Sequence, residues 1–147
     1  MLNQDYRDML SILSGEGVEY VMVGAYALAA HGFPRATGDL DILVAPTPDN
    51  SRKVLSALKR FGSPTSDLAN DTFAQPGVIF QVGVAPRRID IITEIDGVPF
   101  TAAIKDAGVV ELDGLWVPFL SKANLIRNKL ATGREKDRLD AQTLMGS

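Results

Sequence analysis

The stretch Gly38-Asp39-Leu40-Asp41-Ile42-Leu43-Val44 limits this chain more than any other. Residues 40–44 are apolar apart from one carboxylate, which predicts a short strand ended by Pro46 and Pro48. Side chains alternate across a strand, so Asp39 and Asp41 share one face while Leu40 and Ile42 point the other way, toward a core. Two carboxylates side by side repel and raise each other's pKa unless a cation lies between them. A hard divalent ion answers that need. Magnesium takes oxygen ligands, keeps several waters, and is held by one or two carboxylates together with substrate phosphates. An Asp-x-Asp pair alone equally describes the polar edge of a strand, so its neighbours must decide.

Two neighbours bear on it. Asp90 lies in Arg88-Ile89-Asp90-Ile91-Ile92, an aspartate between apolar residues on another expected strand. If that strand pairs beside the first, three carboxylates meet on one face, enough to hold two metal ions about 3.5–4 Å apart. Upstream, Val21-Met22-Val23 runs through Gly24-Ala25 into an alanine-rich segment. A strand entering a helix through glycine presents free backbone N–H groups, a phosphate-binding arrangement that Gly24 lets a ligand approach closely.

The rest of the chain reads as alternating helices and strands. Helices are expected over residues 5–13, 25–30 and 48–61, strands over 19–23, 78–82 and 89–92, and a turn-rich loop over 62–76. Residues 83–88 look like a hairpin connection. Asp113-Gly114 is a tight-turn signal between strands 109–112 and 115–117. Residues 100–107 read as a short helix or part of a strand. Ser121 caps a helix to residue 131, Gly133 breaks it, and a last helix spans 134–144. The expected fold class is α+β, a small mixed sheet with flanking helices. It forms a single domain, with a core over about residues 1–118 and a helical C-terminal segment over about 119–147. Trp116 and Phe119 are expected in the core, and His31 in a structural role.

Composition removes whole classes of function. Among 147 residues there is no cysteine and one histidine, so thiolate zinc sites, cysteine nucleophiles and His-rich metal sites are excluded. No run approaches the roughly 18 apolar residues of a membrane span. The first residues lack a basic leader region, so a cytoplasmic protein is expected. The net charge is −3, unlike a protein that coats duplex nucleic acid. It is uneven, however. Residues 121–147 hold six basic residues against three acidic ones, giving +3 there and −6 in the remainder. A cationic tail facing an acidic body suits a polyphosphate, though solvated basic residues are common on terminal helices.

Together these residues resemble the nucleotidyltransferase superfamily typified by DNA polymerase β. Its signature is a hydrophobic residue with Gly-Ser or Gly-Gly, about a dozen residues, Asp-hydrophobic-Asp/Glu-hydrophobic, and a later third carboxylate. Here that reads Val23-Gly24-Ala25, thirteen residues (Tyr26 to Gly38), Asp39-Leu40-Asp41-Ile42, and Asp90. More narrowly, Arg35, Thr37, Asp39 and Asp41 match the Arg-x-Thr-x-Asp-x-Asp pattern of small bacterial nucleotidyltransferases related to AbiEii toxins. The segment from Ser121 through Lys129 to Arg134-Glu135-Lys136-Asp137 and Asp140 is similar to the helical part of that group.

The resemblance implies a transferase that moves a nucleoside monophosphate from an NTP to a hydroxyl and releases pyrophosphate. The acceptor would be an RNA end such as that of tRNA, a partner protein or a small molecule. It implies Asp39, Asp41 and Asp90 as catalytic residues and ligands of two Mg²⁺ ions, with Mn²⁺ able to substitute. It implies nucleotide binding by Gly24, Ala25, Arg35, Thr37, Lys122, Lys129 and Lys136. Ala25 departs from the pattern by lacking the hydroxyl that would bond a phosphate. That departure keeps open a second reading, a non-catalytic nucleotide-binding or toxin–antitoxin component on the same fold.

Overall fold

A computed structural model describes residues 2–33, 39–84 and 86–146. Arg35 and Thr37 lie outside the described residues. Six helices and six strands follow in the order α1 (Gln4–Gly15), β1 (Tyr20–Val23), α2 (Gly24–Ala30), β2 (Leu40–Val44), α3 (Pro48–Phe61), β3 (Ile79–Val82), β4 (Ile89–Ile92), α4 (Phe100–Lys105), β5 (Gly108–Leu112), β6 (Leu115–Phe119), α5 (Lys122–Ala131) and α6 (Glu135–Met145). The expected α+β class holds, and the strands form one mixed sheet in the order β3-β4-β2-β1-β6-β5.

Local chemistry accounts for most element ends. Asn3, Thr47 and Ser121 cap α1, α3 and α5 by accepting from the backbone N–H three residues on. Pro48 supplies the first turn of α3, and Gly62, at φ 93°, closes it in the left-handed conformation. Asp113 and Gly114 both take positive φ, 49° and 85°, which suits the two-residue turn joining β5 to β6. The segment that read as helix or strand is helical, with Phe100 and Ala103 one turn apart and both buried.

The sheet separates two cores. Tyr20, Met22, Leu40, Ile42, Ile89 and Ile91 pack with Met9, Leu10 and Leu13 of α1 and Val54 and Leu58 of α3. Val21, Val23 and Leu43 pack on the opposite side with residues of α2, α4, α5 and α6. The period-two alternation expected for β2 is therefore realised, and Asp41 shares its face with Leu43. Trp116 departs from expectation. It is 69% exposed, because Val117 takes the buried phase of β6 and alternation turns Trp116 to the other face, opposite exposed Glu111.

At the far end of the sheet from Gly24, Asn50 extends the β1–β2 pairing, where the Ala45 N–H already donates to the Glu19 carbonyl at 3.1 Å. Its amide accepts from Glu19 N at 2.8 Å and donates to the Glu19 and Ala45 carbonyls at 3.1 and 3.0 Å. It is 3% exposed, so water cannot take its place. Asn50→Ala is expected to lower unfolding free energy by about 1–3 kcal/mol, read from the urea midpoint, mainly by leaving the Glu19 N–H unsatisfied, since the Glu19 and Ala45 carbonyls also accept from the Ala45 and Thr47 N–H groups.

Candidate functional site

The carboxylates are assembled by strand register. β1 and β2 are antiparallel with Val23 opposite Asp41. β2 and β4 are parallel with Asp41 opposite Asp90. The carboxyl end of β1 therefore lies beside the amino ends of β2 and β4, and two acids 49 positions apart in the chain become direct cross-strand neighbours. β6 runs parallel to β1 with Phe119 beside Met22, so its carboxyl end, where α5 begins, faces the same way.

Gly24 fits this end of the sheet for two reasons. Its φ of +68° is a conformation that L side chains rarely adopt. A Cβ there would also strike Asp41 Oδ2 and come within 3.2 Å of Asp41 Cγ. The backbone that opens α2 is thus packed directly against one carboxylate. No side chain caps α2, so its first N–H groups are not met by a local side-chain acceptor. Ala25 follows as the second residue of α2.

Arg88 is the residue that the sequence reading missed. Its Nη2 donates to Asp39 Oδ2 at 2.6 Å, and its Nε lies 3.2 Å from Asp90 Oδ1. The second contact is an ion pair without hydrogen-bond alignment, since both buried atoms lack a hydrogen-bond partner among the described residues. The signal was available, because Arg88 is two residues before Asp90 and so shares its phase on the strand. Asp39 is turned to Arg88, and among the described residues no group of three or more His, Asp or Glu side chains is arranged to hold a metal ion.

The remaining charge is costly. Burial, then the Asp90 and Asp39 carboxylates, push the Asp41 carboxyl up to about 6, with Arg88 opposing. Burial also raises Asp90, again against Arg88. Of the two, Asp41 is the more strongly raised. Among described residues, Asp90 has a buried oxygen with unused acceptor capacity in an all-oxygen donor set. That is the chemistry a divalent cation fits.

The basic residues expected at the nucleotide divide. Lys122 is half-buried at the start of α5, at the same end of the sheet as Gly24. Lys136 is exposed on α6. Lys129 instead points between the two helices, with its ammonium 3.3 Å from Asp137 and 3.4 Å from Asp140. Arg134 Nε and the Thr132 hydroxyl each reach Asp137 Oδ2 at 2.7 Å. Burial works against the Asp137 charge, but hydrogen bonds from Thr132 and Lys129 outweigh it and hold the carboxyl below its ordinary value. His31 is structural as expected, with Nε2 2.9 Å from the Leu120 carbonyl and its ring edge-on to Phe119.

The architecture is that of a nucleotidyltransferase-like fold. The chain is similar in structure to TM1012 of Thermotoga maritima, a "putative nucleotidyltransferase" known from a crystal structure. The TM-score is 0.67 and the identity 16%, over 99% of this chain and 96% of that one. No protein-family model matches the chain, and no curated protein is similar to it in sequence. No helix among the described residues is long and apolar enough to cross a membrane.

Two outcomes follow from the crowding. A carboxyl raised from 3.8 to about 6 on folding favours the folded state below pH 4, and that advantage is lost as pH rises through 6. Without divalent ions, Asp41→Asn is expected to gain about 2 kcal/mol on the wild type between pH 4 and pH 7, measured by thermal unfolding. Gly24→Ala is expected to destabilise by about 1–3 kcal/mol through its φ and its clash with Asp41, also measured by thermal unfolding.

Proposed function

We propose that the protein is a metal-dependent nucleotidyltransferase, moving a nucleoside monophosphate from an NTP to a hydroxyl acceptor and releasing pyrophosphate. One observation carries this reading: Asp41 and Asp90 occupy one register position with the Gly24 backbone packed on Asp41. Groups suited to a divalent cation and groups suited to phosphate are thereby in contact, at one end of a sheet with the nucleotidyltransferase-like fold.

Asp39, Asp41 and Asp90 would hold Mg²⁺, two ions in the full arrangement, with Mn²⁺ able to substitute. Taking a cation on all three would separate Asp39 from Arg88. Bound divalent ions supply charge neutralisation at the triphosphate and at the attacking oxygen. The protein's own groups do the rest. Backbone N–H groups at Gly24 and Ala25 receive the phosphates. Ala25 offers no hydroxyl, so contact there is through the main chain. Lys122 and Lys136, with Arg35 and Thr37 from the segment before β2, add positive charge and hydrogen bonds where negative charge develops. The acceptor oxygen forms its bond to the α-phosphorus as the bond from that phosphorus to the bridging oxygen breaks. Pyrophosphate leaves with the electron pair, and the hydroxyl proton passes to Asp90.

The acceptor fits a tRNA end or a protein side chain docked locally at the cationic α5–α6 segment. A body carrying net negative charge does not suit a long duplex. The Arg-x-Thr-x-Asp-x-Asp pattern places the protein, in this reading, near the AbiEii-related proteins and in a toxin–antitoxin setting.

The test is incubation with each α-labelled NTP and Mg²⁺ in the presence of total cell RNA and protein. Label transfer is expected, and Asp41→Asn should reduce it by about a hundredfold or more. Nucleotide binding by calorimetry without transfer would favour the non-catalytic binding component. Absence of both would reject the reading.

A further inference from the structure

Tyr6 sits on α1, behind the sheet face that carries the carboxylates, and it is fully buried. Its hydroxyl donates to the Arg88 carbonyl at 3.0 Å and lies 3.4 Å from the Pro86 carbonyl. The Arg88 carbonyl also accepts the backbone N–H of Leu40 at 3.0 Å. Leu40 separates Asp39 from Asp41, and Arg88 precedes Asp90 by two residues. One carbonyl oxygen therefore joins the strand bearing two of the carboxylates to the strand bearing the third.

Tyr6 is held from behind by several contacts. Its own N–H donates to Asn3 Oδ1 at 2.9 Å. Leu2 N and Arg7 Nη2 donate to Asp113, at its Oδ2 and its carbonyl, at 3.0 and 3.2 Å, which ties the start of α1 to the β5–β6 turn. The Tyr6 ring meets Tyr26 of α2 edge-on, with centroids 5.8 Å apart. The connection it reaches is much less embedded. Val84 is 80% exposed, Pro86 and Arg87 are exposed, and Gly83 turns the chain at positive φ. Packing needs only the aromatic ring at position 6. The buried hydroxyl costs free energy unless it is bonded, so the bond to Arg88 accounts for tyrosine rather than phenylalanine there. Burial, with Tyr26, Asp39 and Asp41 nearby, pushes the hydroxyl up to about 12, which keeps it a neutral donor.

We propose that Tyr6 is a positioning residue whose hydroxyl, through the Arg88 carbonyl, sets the spacing of Asp90 from Asp39 and Asp41. The part of this that concerns cation affinity rests on the metal-site reading above; the part that concerns spacing does not.

Tyr6→Phe keeps the ring and removes the bond. Amide hydrogen exchange in the metal-free chain should quicken about fivefold at Leu40 and Asp90, with Val54 and Leu58 of α3 unchanged, as expected for one lost neutral hydrogen bond. A uniform change across all four amides, or none, overturns the proposal. The Mn²⁺ dissociation constant, read by electron paramagnetic resonance, should rise about fivefold in the same variant. A value within about twofold of wild type, with Mn²⁺ bound in both, also overturns it. Asp41→Asn is the control. If the wild type takes up no Mn²⁺, or Asp41→Asn binds it equally well, the metal reading fails and the exchange data decide the role of Tyr6 separately. Should Tyr6→Phe not fold, the hydroxyl proton of Tyr6 in the wild type gives the second measurement. Slow exchange with a cross-relaxation peak to the Leu40 amide supports the proposal, and rapid exchange overturns it.

Discussion

The placing of two partly or fully buried carboxylates, Asp41 and Asp90, at one register position is the constraint on which this end of the sheet depends. Adjacent strands lie about 4.8 Å apart, so acids at one register position cannot both carry charge cheaply in a half-buried setting. Two answers are visible. The Arg88 guanidinium pairs with Asp39 and Asp90, and Asp41 retains a proton far above the usual carboxylate range. Both are reversible. A stabilising apolar pair at this position would have been simpler, and its absence marks a place where packing has yielded to chemistry.

Strand direction then decides what surrounds the acids. β1 is antiparallel to β2 and parallel to β6, so the carboxyl ends of two strands and the amino ends of two others share one edge of the sheet. Helices α2 and α5 both begin at that edge. The backbone of α2 at Gly24 packs against Asp41, and Lys122, the first residue of α5, starts from the same end of the sheet. The network of Lys129, Thr132, Arg134 and Asp137 ties α6 to α5 at the cationic end of the chain. Only part of its positive charge then remains for a ligand. Lys129 is spent on the fold.

Much of the fold was legible locally. The strand over residues 40–44, the strand over 89–92, the cap at Ser121, and the turn at Asp113-Gly114 all follow from alternation, capping chemistry and glycine conformation. Trp116 shows the limit. Its size argued for the core, but strand phase, fixed by Val117, put it on the exposed face. Residues 100–107 were ambiguous because so short a stretch is too brief to separate a 3.6-residue period from a two-residue one. Lys129 was readable as a basic helix-face residue, yet its partners become neighbours only after two helices pack.

The chain alone pointed to the alternation of β2, with Asp41 opposed to Leu40 and Ile42, and to the helix that glycine opens after β1, because alternation and backbone freedom act between residues adjacent in sequence. It also settled which residue types are absent and hence which chemistries are closed. Only tertiary structure decided that Asp90 stands opposite Asp41, that Arg88 bridges two of the acids, and that Tyr6 reaches the junction from behind the sheet. Apart from Arg88 and Asp90, which are two positions apart, those relations join residues 49 to 82 positions apart, and they depend on strand order and register, which no local pattern encodes.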